Sequence, residues 1–156
     1  MPSLPWSEAL EVGLRAMDDA HREFIELLAR ARSLDDRALE AAWQVLIDHT
    51  QAHFAQEEAW MRASGCPSLH AHSLQHRMIL RVMRDGARSA AQGDITPVRL
   101  MTGELAMWFP EHARTLDAAL ATHLQQVGYD PASGTMRAPL EPGAGSRRGA
   151  AGSTSP

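Results

Sequence analysis

Five histidines and two carboxylates recur along this chain at spacings that would aim them inward from four helices: His21; His53 and Glu57; His72 and His76; His112 and Asp117. Imidazole with carboxylate is the donor mix that suits iron, zinc, copper and manganese. His53 and Glu57 are four residues apart, as are His72 and His76, so each pair shares one helix face about 6 Å apart along the axis. Such pairs can converge on one metal, or on two a few ångströms apart. His112 and Asp117 are five apart, roughly 140° around an ideal helix. A π turn between them would realign the two, and Pro110, which removes one backbone donor just before His112, favours local irregularity.

Seven donors exceed a tetrahedral zinc site, and the single cysteine, Cys66, excludes a Cys-based one. The set suits two octahedral metals that share two bridging carboxylates. Five nitrogens and two bridging carboxylates contribute nine bonds and an oxygen bridge two more, which leaves one of twelve positions open.

The elements that must position these donors are legible as apolar stripes. A first helix, capped by Asp18 or Asp19 and running to about Ser33, carries Met17, His21, Phe24, Leu28 and Ala31. A second, capped by Asp35 or Asp36 and running to about Met61, carries Leu39, Trp43, Leu46, Thr50, His53, Glu57 and Trp60. A loop over residues 63–68 leads to a third helix, about Ser68 to Ala91, with Leu69, His72, His76, Ile79 and Met83. Thr96 as N-cap before Pro97 starts a fourth, to about Val127, with Met101, Leu105, Trp108, His112, Leu116 and Ala119.

Four long helices with short turns predict an all-α fold, an antiparallel up-down four-helix bundle over residues 17–128. Residues 1–16 form an N-terminal arm. Residues 129–156, rich in Pro, Gly, Ala and Ser, form a disordered tail with no strand pattern. Six of the seven donors lie on stripes that face the core, Asp117 being the exception. Burying them without partners would cost several kcal/mol, and a metal centre is the simplest agent that satisfies them together.

Length and composition agree. A chain of 156 residues is one domain able to bury a core. Its net charge of −4 argues against nucleic acid or an anionic membrane as partner; Arg147-Arg148 is too short a basic cluster to change that. No apolar run approaches a membrane span. Met1 to Val12 is neither basic nor apolar enough for a secretory signal, so a cytoplasmic location is the expectation.

The combined pattern resembles the hemerythrin family, in particular its bacterial single-domain kind. The matching stretches are Val12-Gly13 with Met17-Asp18 and His21; His53-Phe54-Ala55-Gln56-Glu57-Glu58 with Met61; Pro67, His72 and His76; and Trp108, His112 and Asp117. The resemblance implies two non-haem iron ions joined by an oxo or hydroxo bridge. One iron would be held by His72, His76 and His112, the other by His21 and His53, with Glu57 and Asp117 bridging. It implies molecular oxygen as the partner, held reversibly as a hydroperoxide at the two-histidine iron in a dry pocket. Trp108 matches a family position near that site, and Phe24, Leu28 and Met61 are candidate further walls. Two departures bear on oxygen affinity and autoxidation: Cys66 stands where the family commonly has tyrosine, and Pro110 sits inside the fourth helix.

The first functional expectation is therefore a non-enzymatic oxygen carrier, store or local supplier. Oxygen-activating bundle enzymes repeat Glu-x-x-His on two helices, a motif this chain lacks. Two alternatives stand beside it: an oxygen, redox or iron sensor acting through a protein partner at the tail or the Trp6 arm, and a di-iron enzyme with peroxidase-like or nitric-oxide-handling activity. Oligomeric state is left open. His49, His70 and His123 are expected to stand outside the centre, Glu58 to face solvent, and Cys66 to be an incidental thiol.

Overall fold

A computed structural model describes residues 4–137. Four helical rods form the fold: α1 (Arg15–Ser33), α2 (Asp36–Ser64), α3 (Leu69–Ala91), and a fourth made of α4 (Thr96–His112), a π turn (Ala113–Asp117) and α5 (Ala118–Val127). Each rod packs on its chain neighbour, and α1 closes against α4, which completes an antiparallel bundle.

Helix ends follow local chemistry. Asp35 caps α2 by accepting the Ala38 N–H at 3.0 Å. Gly65, at φ 66°, ends α2 in the left-handed region that other residues avoid, and lets Cys66 N–H reach the Met61 carbonyl at 2.9 Å. At the start of α4 the expected cap is corrected. Thr96 is already helical, and it is Asp94 Oδ1 that accepts the Thr96 N–H, at 3.0 Å.

The stripes expected on α1 and α2 are buried throughout. On the fourth rod the interior register slips. Regular α periodicity after His112 would turn Leu116 and Ala119 inward, but Leu116 is half-buried and Ala119 exposed. Ala113, Asp117, Leu120 and Leu124 line the interior instead. The cause is the π turn, in which Ala118 N–H reaches back five residues to the Ala113 carbonyl.

Two apolar cores result. One gathers Phe24, Leu28, Leu39, Trp43, Leu46, Met83, Val98, Leu105 and Phe109; the other gathers Met17, Trp60, Met61, Cys66, Leu120 and Leu124. Along α1 and α2 the polar donors fall between these two sets. Trp43 also donates its indole N–H to the Met83 carbonyl at 3.0 Å, tying α2 to α3.

The N-terminal arm packs on the bundle. Arg22 lies 4.6 Å above the Trp6 ring, and Asp18 accepts the N–H groups of Val12 and Gly13 at 2.9 and 3.2 Å. Within the segment expected as tail, the chain after Gly128 forms a short antiparallel hairpin, Tyr129–Asp130 against Thr135–Met136. Asp130 folds its turn by accepting from Ala132 N–H and the Ser133 hydroxyl. The remaining tail, with Arg147-Arg148, lies outside the described residues. Among the described residues no helix is long and apolar enough to cross a membrane.

Candidate metal centre

One polar layer crosses the bundle between the two cores. Into it α1 sends His21, α2 sends His53 and Glu57, α3 sends His72 and His76, and the fourth rod sends His112 and Asp117. All seven are buried.

The two carboxylates stand in the middle and split their oxygens between opposite sides. Glu57 Oε1 is 2.9 Å from His53 Nε2 and 3.7 Å from His21 Nε2. Its Oε2 is 3.2 Å from His76 Nε2 and 3.5 Å from His72 Nε2. Asp117 repeats the arrangement: Oδ2 is 3.0 Å from His21 Nε2, while Oδ1 is 3.0 Å from His72 Nε2 and 3.1 Å from His112 Nε2. Two overlapping donor groups follow, each with its ligand atoms within 4.8 Å of one another: His72, His76 and His112 with both carboxylates, and His21 and His53 with the same two carboxylates.

These residues fit metal ions on a physical ground. Among the described residues, every buried side-chain nitrogen or oxygen without a hydrogen-bond partner belongs to this layer, apart from Ser73 Oγ. The N···O approaches are short, yet those buried atoms lack hydrogen-bond geometry. An unmet buried polar group costs about 1–3 kcal/mol, so leaving this many unmet would consume much of a small domain's stability. Divalent cations would satisfy the carboxylate oxygens and the Nε2 atoms among them, and imidazole with carboxylate suits iron.

Comparison with known proteins agrees. Residues 12–124 match the family described as the hemerythrin HHE cation binding domain. The chain belongs to the hemerythrin family. It is 38% identical to a bacteriohemerythrin of Ralstonia nicotianae over 130 residues, which cover 83% of this chain and 95% of the relative. A bacteriohemerythrin of Stenotrophomonas maltophilia is 32% identical over 144 residues, 86% of this chain and 92% of the relative. One from Pseudomonas aeruginosa is 28% identical over 123 residues, 76% and 79% respectively.

For a hemerythrin, the residues around the donors matter as much as the donors. His112 donates Nδ1–H to Gln75 Oε1 at 3.1 Å, which leaves its Nε2 lone pair for the layer. Glu58 is a correction: it does not simply face solvent. Its side chain is 19% exposed, and Oε1 stands 3.4 Å from His76 Nδ1 while Oε2 pairs with Arg62. Gln75 does not stand out in the sequence and the place of Glu58 beside His76 is not legible there, because both lie beside the stripe rather than on it.

Electrostatics in the metal-free protein follow from the same crowding. Burial opposes charge on His21 and His72, but Asp117 and Glu57 beside them outweigh it and push both up to about 9. At His76 burial dominates and lowers the pKa. Burial and repulsion by Glu57 oppose ionisation of Asp117, yet the histidines around it hold it well below the usual carboxylate range. Glu57 is likewise lowered by its histidines against the penalty of burial.

The candidate walls fall at different places. Trp108 is half-buried and stacks on His112, ring centres 4.4 Å apart. Phe24 and Leu28 belong to one apolar core and Met61 to the other. Two aromatic neighbours lie outside the walls named from sequence. Phe109 meets His21 edge-on at 5.1 Å and packs on Phe24 at 4.7 Å, and Phe54 stacks on His76 at 3.8 Å. Each sits one residue from a marked position, inside a stripe wider than a single row. His70 is exposed, and His123 donates to the Ser64 carbonyl at 3.1 Å, so neither joins the layer. Cys66 is buried with its thiol 3.3 Å from Ser68 Oγ.

Proposed function

We propose that this protein is a non-enzymatic di-iron oxygen binder that takes up dioxygen reversibly on its two-histidine side, as a carrier, store or local supplier. The observation that carries this reading is the asymmetry of the layer. The same two carboxylates serve three histidines on one side and two on the other, which leaves one position for an outside ligand when both irons are six-coordinate.

When bound, the iron pair supplies two electrons and the open coordination position for dioxygen. The chain supplies the rest. His72, His76 and His112 would hold one iron, His21 and His53 the other, and Glu57 and Asp117 would hold both at a fixed separation. Gln75 fixes the tautomer and ring angle of His112. Phe109 covers the edge of His21, and with Phe24 behind it excludes water from the two-histidine side. Nitrogen-rich ligation with only two carboxylates favours holding dioxygen over cleaving it.

The deciding experiment loads the protein with iron, reduces it without air, admits oxygen and then evacuates. A visible absorption band that appears with oxygen and fades under vacuum supports the reading. Irreversible oxidation on first exposure would favour sensing or catalysis. A metal content other than two irons per chain would overturn the proposed centre.

A further inference from the structure

Beside the layer an imidazole on α2 and a carboxylate on α1 face each other. His49, His53 and Glu57 follow at one-turn steps on α2, so three ligand-type side chains climb one side of the helix at intervals of about 6 Å. Glu57 is wholly buried, and His53, at 8%, is the most exposed of the seven donors. The His49 side chain is 14% exposed, and Glu23, across from it on α1, is 64% exposed. The ladder thus runs from solvent to the two-histidine side of the centre.

His49 Nε2 lies 3.0 Å from the Ala20 carbonyl, which can only accept, so that nitrogen carries the proton. In the neutral ring Nδ1 then presents a lone pair, 3.6 Å from Glu23 Oε2. A proton on Nδ1 closes this pair as an ion pair, and a divalent cation can take the proton's place between the imidazole nitrogen and the carboxylate oxygen. Two metal bonds of about 2.1 Å span such a gap with an open angle. The His49 ring also stacks nearly parallel to His53, centres 6.3 Å apart, so the next ligand is one ring away.

We propose that Glu23 and His49 form a capture station for the incoming divalent metal, ferrous iron in the functional protein, which passes it to His53 and the two-histidine set. The proposal rests on the di-iron reading. The transfer is ligand exchange: neutral His49, through Nδ1, and the Glu23 carboxylate coordinate without losing a proton, His21 releases its proton to solvent as the metal arrives, and no electron moves.

The test follows anaerobic uptake of ferrous ion by the metal-free full chain, read as loss of chelator-accessible iron. Glu23→Gln removes the charge at an exposed position, and His49→Gln keeps an N–H able to reach the Ala20 carbonyl. Each variant is expected to load about tenfold more slowly, the lower end of what charge at an access route contributes. Each should still reach the wild-type iron content and visible spectrum. The double variant should be no slower than the slower single one, since both residues serve one station. Glu40→Gln, an exposed charge elsewhere on α2, should load at the wild-type rate. Wild-type rates in both variants, equal slowing by Glu40→Gln, or a lower final iron content would each overturn the station. If the wild-type chain itself fails to take up two irons, the di-iron reading falls first.

Discussion

Asp117 Oδ1 lies 3.1 Å from Nε2 of His112, although the two residues are five apart and would diverge on a regular helix. One π turn, Ala113–Asp117, brings them to the same side. The same carboxylate faces His72 and His21 from α3 and α1, so one side chain meets three histidines from three rods at once.

Asp117→Asn keeps the size of the side chain and removes its charge. Metal content should fall below two per chain, with the affinity for the second ion down by at least about 100-fold, beyond the loss typical of an outer-shell change. Helicity by circular dichroism should stay near wild type. Full occupancy in this variant would contradict the bridging role.

The stability of the metal-free protein should depend on pH in a defined way. His21 and His72 are raised from about 6.5 when unfolded to about 9 when folded. Their contribution is complete below pH 6.5 and is lost as pH rises through 9. Glu57 and Asp117 are lowered, so theirs is present above about pH 4 and is lost as pH falls below it. His76, lowered by burial, works the other way, its contribution being lost as pH falls below about 6.5. Melting temperature should therefore peak at about pH 6.5, decline on the acid side and drop towards pH 9.5. The metal-loaded protein should not show the alkaline drop, because ligated imidazole is already neutral. A flat metal-free profile from pH 6 to 9.5 would contradict the charge assignment.

Gln75→Leu removes the acceptor from His112 Nδ1 at an exposed position. Metal affinity should weaken by about tenfold while the melting temperature of the metal-free protein changes little. Competition titration against a chelator reads the first, and a thermal melt the second. An unchanged affinity would show that the ring is held by packing alone.

Phe109→Ala opens a cavity between His21 and Phe24. Such truncations cost about 3–5 kcal/mol, so chemical denaturation should show a loss of that order. The oxygenated form should also decay faster, because water gains access to the two-histidine side. Wild-type decay in a folded variant would move the protective role elsewhere, to Trp108 or Leu28.

Much of this was legible in the stripes. On α1 and α2 the spacing of Met17, His21, Phe24 and Leu28, and of Trp43, Leu46, His53 and Glu57, places the interior correctly because both helices are regular. On the fourth rod the same arithmetic turns Leu116 and Ala119 inward, one residue short of the observed Asp117 and Leu120. A π turn adds a residue without changing the apolar pattern around it. Glu58 was missed for another reason. It follows Glu57 by 100° around the helix, and its carboxylate reaches back towards His76 because Arg62, one turn on, pairs with its other oxygen. The hairpin at 129–136 escaped because it rests on Asp130 folding its own turn and not on an alternating apolar strand.

Asp18 gives the molecule a handle. Asp18 stands three residues before His21 and its carboxylate grips the backbone of Val12 and Gly13, so any pull on the N-terminus is delivered to the rod that carries His21. Tags, tethers or fused modules attached there load that rod mechanically. Attached at the C-terminal end, they load the hairpin first. For single-molecule or immobilised work the two ends of this chain are not equivalent.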